Sequence, residues 1–306
     1  MSLFALIAAL LLEQLKPLSA RSYPWLAAYA DYFQHHFNSG DFRHGKAAWW
    51  LAVLPLVALA VLGYWGARYL HLSLPYEMLI LYLCLGFGRY SRGFTDIQQA
   101  LRDNRLDIAQ QKLSSLRGAA SQELTEDELA RVAIETQLIA LHRHLFGVIV
   151  WYALFSLLGL GGAAGALLYR VALGLDRHWQ NHGSHDDMLE DRFGEYAQRM
   201  CARLQWLPIR LTAATFAIVG NFEDTVYCWR SQANNWPDRE IGILLSSAAG
   251  ASGIRLGQSA PAESTERPEL GVADKPTDAT MQCCTRLVWR SVVFMLVMLL
   301  LLALVS

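Results

Sequence analysis

The chain has 306 residues, of which 54% are hydrophobic and only 17% charged, and its formal net charge is -1. That apolar excess is more than one soluble core absorbs, so the composition excludes an ordinary soluble protein and indicates an integral membrane protein of all-α, polytopic construction. The near-zero charge gives no basic field for nucleic acid, and the sequence shows no zinc-finger or helix-turn-helix pattern. Five cysteines at 84, 201, 228, 283 and 284 show no CxxC spacing, which argues against a disulfide framework and against a metal site built on them.

Taken in order, Ser2 to Leu15, apolar through Leu12, has no basic leader or A-x-A site and reads as a retained hydrophobic helix that Pro17 ends. Leu51 to Leu70 is the clearest span, with Trp49 and Trp50 at one interface and Tyr64, Trp65 and Tyr69 at the other. Tyr76 to Gly88 reads as a second span, and the basic residues before and after this pair place both flanks in the cytoplasm. Residues 1–92 thus form an N-terminal helix and a transmembrane hairpin. Residues 93–145 read as a soluble helical hairpin broken near Gly118, with capping boxes at Thr95/Gln98 and Thr125/Glu128. The mixed charge of that hairpin suits a solvated face, or a surface that docks a protein partner.

Residues 146–257 form the membrane core. Phe146 to Tyr169 contains GLGGAAG and reads either as one tilted span or as two half-segments about the glycines. Without a following lysine it is packing rather than a phosphate loop. His178, His182 and His185 with Asp186 and Asp187 have metal-ligating chemistry, but a polar loop is the simpler reading of that run. Two short apolar segments follow, Leu211 to Gly220 and Ile241 to Ile254, each flanked by an arginine, Arg210 and Arg255. Both are shorter than the roughly 20 residues of a span, so they read as a membrane-embedded pair joined by the polar GNFED connector. The second is rich in Gly, Ala and Ser, which lets a backbone or a ligand approach closely. Residues 258–285 are Pro-, Ser- and Thr-rich and read as a linker, and 286–306 as a final transmembrane helix.

Three runs carry a family resemblance: YRVALGLDRH from Tyr169, FGEYAQRMCARLQWLPIRLTA from Phe193 and GILLSSAAGASGIRLGQ from Gly242. With them the chain resembles the cobinamide-phosphate synthase family, CobD/CbiB, and its relative AmpE, an inner-membrane protein linked to the response to β-lactams. Tyr169, Leu175, Asp176, Pro208, Arg210, Gly250, Gly253, Arg255 and Gly257 stand at matching positions, Arg170 is a conservative change, and Glu135 is the one secure match in ETQLIALHRHLFG. The resemblance implies a multi-pass protein of the bacterial inner membrane and an ATP-dependent, Mg²⁺-assisted amide synthesis that joins a corrinoid carboxylate to an aminopropanol or its phosphate.

The departures are acidic. Cys201 with Ala202 and Leu244 with Leu245 stand where synthases carry carboxylates. On that ground the resemblance favours an AmpE-like sensor or scaffold without synthase chemistry, and an adenosylcobinamide-phosphate synthase is the alternative. In the synthase reading Asp176, Glu223 and Asp224 supply the catalytic carboxylates. Arg170, Arg210, Asn221, Gly250, Gly253 and Arg255 are candidate ligand-binding residues and Glu135 a further candidate, while in the scaffold reading Arg210 and Arg255 bind a lipid or other anion or simply pair internally. The partners expected are the lipid bilayer, a protein on the 94–144 hairpin, a corrinoid or other anionic small molecule, and a second copy of the chain. Transport, suggested by short Gly-rich segments, lacks an inverted repeat to support it.

Overall fold

The computed structural model describes residues 3–16, 24–38, 40–118, 124–182, 192–257, 268–272 and 278–305. Apart from one short strand pair, its regular structure is helical: α1 Leu3–Leu15, α2 Pro24–Phe37, α3 Phe42–Tyr69, α4 Ser73–Cys84, α5 Phe87–Arg102, α6 Leu106–Arg117, α7 Glu126–Leu141, α8 Gly147–Leu157, α9 Gly162–His182, α10 Glu195–Val219, α11 Phe222–Gln232, α12 Arg239–Ser252 and α13 Asp278–Val305. A π turn, His142–Phe146, links α7 to α8 without interrupting the helix. By length and composition, three helices among the described residues are long and apolar enough to cross a membrane: 42–69, 126–157 and 280–304. This is an all-α membrane protein. Leu51, Leu54, Leu59 and Leu62 on α3, and Val293, Val297, Leu300 and Leu304 on α13, remain exposed. Such bare apolar faces suit lipid rather than water.

Several element boundaries differ from the sequence expectation, each for a physical reason. The first span begins at Phe42, nine residues before Leu51, because Asp41 caps that end by accepting from the Arg43 amide. The run expected from Tyr76 to Gly88 is a helix of only 12 residues, α4, which stops at Cys84 before an extended Leu85. Thr95 caps nothing: α5 runs through it, and its hydroxyl donates back to the Ser91 carbonyl. By contrast the Thr125/Glu128 box forms, and Gly118 closes α6 in the left-handed conformation at φ 72°. The helix that box starts is no short soluble arm, since 126–157 continues as one apolar stretch through the π turn.

The chain forms two compact units, Met1–Gly86 with Gly147–Leu207, and Phe87–Phe146 with Pro208–Ser306. In the first, α9 packs against α2, α3, α4 and α8. It can do so because the GLGGAAG run serves two purposes. Gly159 and Gly161 turn the chain with φ of 72° and 85°, which separates α8 from α9 and selects the two-segment alternative. Gly162 then lets the Tyr152 ring lie where a Cβ would stand, 2.3 Å from its nearest atom. In the second unit α5 pairs with α6, α11 with α12, and α7 packs on α5 and α12. There Leu256–Gly257 (β1) and Glu269–Leu270 (β2) make the antiparallel pair, Leu256 opposite Leu270 and Gly257 opposite Glu269.

Candidate functional site

The second unit gathers most of the residues singled out from the sequence around the C-terminal end of α12. Asn221 caps α11: its side-chain oxygen accepts from the Asp224 amide at 3.2 Å and its amide nitrogen donates to Asp224 Oδ2 at 2.7 Å. GNFED is therefore a helix start, with Glu223 and Asp224 in the first turn, where carboxylates offset the dipole. Their register relative to α12 is fixed by contact. The Asn221 amide donates to the Ala251 carbonyl at 3.3 Å, and a Cβ at Gly250 would lie 2.5 Å from the Asp224 carbonyl oxygen. Only glycine permits that approach.

Beyond Gly250, Gly253 ends α12 with φ 64°, its amide turning back to the Ala249 and Gly250 carbonyls. The chain then runs Ile254–Gly257 along a buried carboxylate: Glu135, 6% exposed, accepts from the Gly257 amide at 2.8 Å. Gln232 clamps the other side, accepting from the Gly271 amide at 2.6 Å and donating to its carbonyl at 3.3 Å. With the backbone fixed on three sides, the Arg255 side chain stands outward. Arg255 is half exposed, and Glu269 Oε2 lies 3.9 Å from its guanidinium. Glu223 on the α11 start is exposed as well.

Arg210 has another environment. Its guanidinium makes a two-pronged pair with Glu240, Nη1 to Oε2 at 2.6 Å and Nη2 to Oε1 at 3.1 Å, and both side chains are about four-fifths covered. Hydrogen bonds of that charged kind contribute about 1.5–3 kcal/mol. Glu240 lies in the first turn of α12 and Arg255 beyond its last, which puts the two arginines about 20 Å apart along the helix. They do not form one anion clamp. Arg170 and Asp176 belong to the first unit, on α9, where Asp176 accepts from Gln180 one turn on.

Two further expectations resolve on geometry. His178 pairs with Asp31 at 2.6 Å, while the side chain of His182, and His185, Asp186 and Asp187, lie outside the described residues. Among the described residues no cluster of three or more His, Cys, Asp or Glu could hold a metal ion. Glu223 and Asp224 are consecutive on a helix and so point apart, which does not fit a resident two-carboxylate Mg²⁺ site. Cys228, one turn after Asp224, has its thiol pushed up by burial and then by the Asp224 charge, so it is no ready nucleophile.

Sequence reasoning missed Glu77. It is 2% exposed on α4 and accepts from the Tyr152 hydroxyl at 2.9 Å. The available signal was one carboxylate in an otherwise apolar run, since an ionisable group at such depth marks a structural or functional polar contact.

An all-α membrane protein whose candidate site is a glycine-capped turn bearing a half-exposed arginine is the class that fold and site define. The family model described as CobD/Cbib protein matches residues 3–288, and the chain belongs to that family. It is 33% identical to the cobalamin biosynthesis protein CobD of Stutzerimonas stutzeri (strain A1501) over 98% of both chains. It is 31% identical to the protein of that name from Chromobacterium violaceum, over 80% of this chain and 71% of the other. Identity to the cobalamin biosynthesis protein CbiB of Salmonella arizonae is 25%, over 82% of this chain and 80% of the other. No solved structure matches. These relatives overturn the AmpE-like expectation: their names give cobalamin biosynthesis and nothing of a sensor or a β-lactam response. The acidic departures that prompted the expectation are local, whereas the likeness runs the length of the chain.

Proposed function

We propose that the chain is an adenosylcobinamide-phosphate synthase of the bacterial inner membrane, crossing it several times. The carrying observation is the end-to-end likeness to a cobalamin biosynthesis protein, 33% identity over 98% of both chains. The reaction joins a corrinoid carboxylate to the amine of an aminopropanol or its phosphate. A C–N bond forms, a carboxyl C–O bond breaks, and ATP takes up that oxygen as phosphate, leaving ADP. Mg²⁺ enters with the nucleotide phosphates as part of the substrate, which asks little of protein carboxylates.

Within this reading Arg255 is the group for an anionic oxygen of substrate or nucleotide. It stands outward on a turn whose backbone Gly253, Glu135 and Gln232 hold, so little ordering is left to binding. Exposed Glu223, on the α11 start held against the end of α12, offers a carboxylate that no capping contact occupies. The test is direct. The full chain in lipid nanodiscs, given adenosylcobyric acid, aminopropanol phosphate, ATP and Mg²⁺, is expected to yield the amide by mass spectrometry, with one ADP per product. Failure to form the amide from either the alcohol or its phosphate contradicts the proposal.

A further inference from the structure

Apart from that turn, the second unit gathers arginines that the proposed reaction does not use. Phe87 and Tyr90 stand one turn apart on α5. The Phe87 ring meets Trp289 of α13 edge-on at 6.3 Å, and the Tyr90 ring stacks on His144 of the π turn at 4.9 Å. These two contacts bring together residues 87–95 of α5, 136–146 at the end of α7 with its π turn, and 281–292 of α13. The stretches hold Arg89, Arg92, Arg143, Arg286 and Arg290 and no aspartate or glutamate. Of the carboxylates just beyond them, Glu135 is engaged by the Gly257 amide and Asp96 by Lys112 at 2.9 Å. Arg143, Arg286 and Arg290 make no ion pair among the described residues.

The face of α13 identifies what this belt meets. Arg286 and Arg290 are exposed, and Val293, Val297, Leu300 and Leu304 continue the same stripe at helical spacing, exposed as well. The stripe passes from guanidinium to hydrocarbon between Arg290 and Val293, within one turn. A bilayer makes that same change at the level of its phosphates. From this we infer that the arginine belt of α5, the π turn and α13 binds the phosphate of an anionic phospholipid, whose acyl chains lie along Val293 to Leu304. A guanidinium fork suits phosphate oxygens, and the lipid's chains cover apolar surface that a soluble phosphate leaves bare. Charge selects among lipids. A zwitterionic headgroup carries its own cation, for which these stretches offer five like charges and no carboxylate. A headgroup of net negative charge has no such conflict.

The probes are phosphatidylglycerol and phosphatidylcholine with identical acyl chains, titrated into the full chain in detergent micelles and counted as bound adducts by native mass spectrometry. Phosphatidylglycerol should be retained about tenfold more tightly. Arg286→Gln and Arg290→Gln should each weaken it by about fivefold, the loss of one cation beside an anionic headgroup, and leave phosphatidylcholine unchanged. Arg290→Lys keeps the charge and should lose less than Arg290→Gln. The comparison variant is Arg68→Gln, at the far end of α3, where an exposed arginine lies beside Trp65 and outside the belt. It should retain phosphatidylglycerol as the parent does. Should the glutamine variants fail to fold, the parent decides: salt at about 1 M should erase its preference, since the headgroup is met at an exposed surface. Equal retention of the two lipids, a preference indifferent to salt, or a loss in Arg68→Gln as large as in the α13 variants overturns the proposal. So does displacement of the lipid by ATP, which would assign the belt to nucleotide phosphates. Retained lipid is read without the synthesis assay, so this proposal and the synthase reading fail separately.

Discussion

The two ends of α12 carry the same chemistry in opposite states. At its start Arg210 and Glu240 meet in two short hydrogen bonds and are four-fifths covered; just past its end Arg255 and Glu269 are 3.9 Å apart and half exposed. A tightly paired, covered guanidinium has spent its donors on the fold, and freeing it would leave a carboxylate without a partner. One that is loosely paired keeps its donors for something else, since exposed pairs at such distance contribute about 0–1 kcal/mol. The arginines that look equivalent in the sequence are therefore a clip at one end of the helix and an open hand at the other.

Mutations should widen that contrast, beginning with the largest effect. Gly250→Val pushes a branched side chain into the Asp224 backbone, where even a Cβ stands 2.5 Å from oxygen, so α11 and α12 must separate. Overpacking against backbone should cost about 3 kcal/mol or more, read as a large drop in the detergent melting temperature. An unchanged Tm would show that the helices are not so closely approached. Glu240→Gln takes the carboxylate charge from the Arg210 guanidinium and should cost about 2 kcal/mol, with synthesis per folded molecule retained. If Glu240→Gln were as stable as the parent, the clip would be no clip.

Asn221→Ala removes the α11 cap and should cost about 1 kcal/mol. Synthesis should fall as well, because the turn holding Glu223 loosens, and comparison of Tm with rate at a temperature well below melting separates these effects. Smallest in stability is Arg255→Leu, expected within about 0.5 kcal/mol of the parent, as for most exposed sites away from buried features.

How much of this could be read in the sequence depended on how local each feature is. Gly118 as a helix stop and the Thr125/Glu128 box were legible because a cap is decided by residues three or four apart. The two-segment form of GLGGAAG was open, and φ of 72° and 85° at Gly159 and Gly161 decided it. The end of the second short segment near Ile254 was legible, but not that Glu135, 122 residues before Gly257, would hold the Gly257 amide. For the same reason the Arg210–Glu240 pairing, 30 residues apart, and the Tyr152–Glu77 contact, 75 apart, were beyond local pattern. The Thr95 box misled because its residue types are right while the apolar spacing carries α5 straight through. The loss of acidic residues misled in another way: it weighed a few positions against a likeness that extends over residues 3–288.

The decisive measurement is the rate of ATP-dependent amide formation in nanodiscs for Arg210→Leu and Arg255→Leu, taken beside the Tm of each. The account predicts a double dissociation. Arg255→Leu should keep its Tm and lose about tenfold or more in rate, as for a charged contact made to substrate. Arg210→Leu should lower Tm and, where folded, keep most of its rate. Parental turnover in Arg255→Leu, or loss of turnover in Arg210→Leu at unchanged Tm, would contradict the assignment of the open end of α12 as the working end.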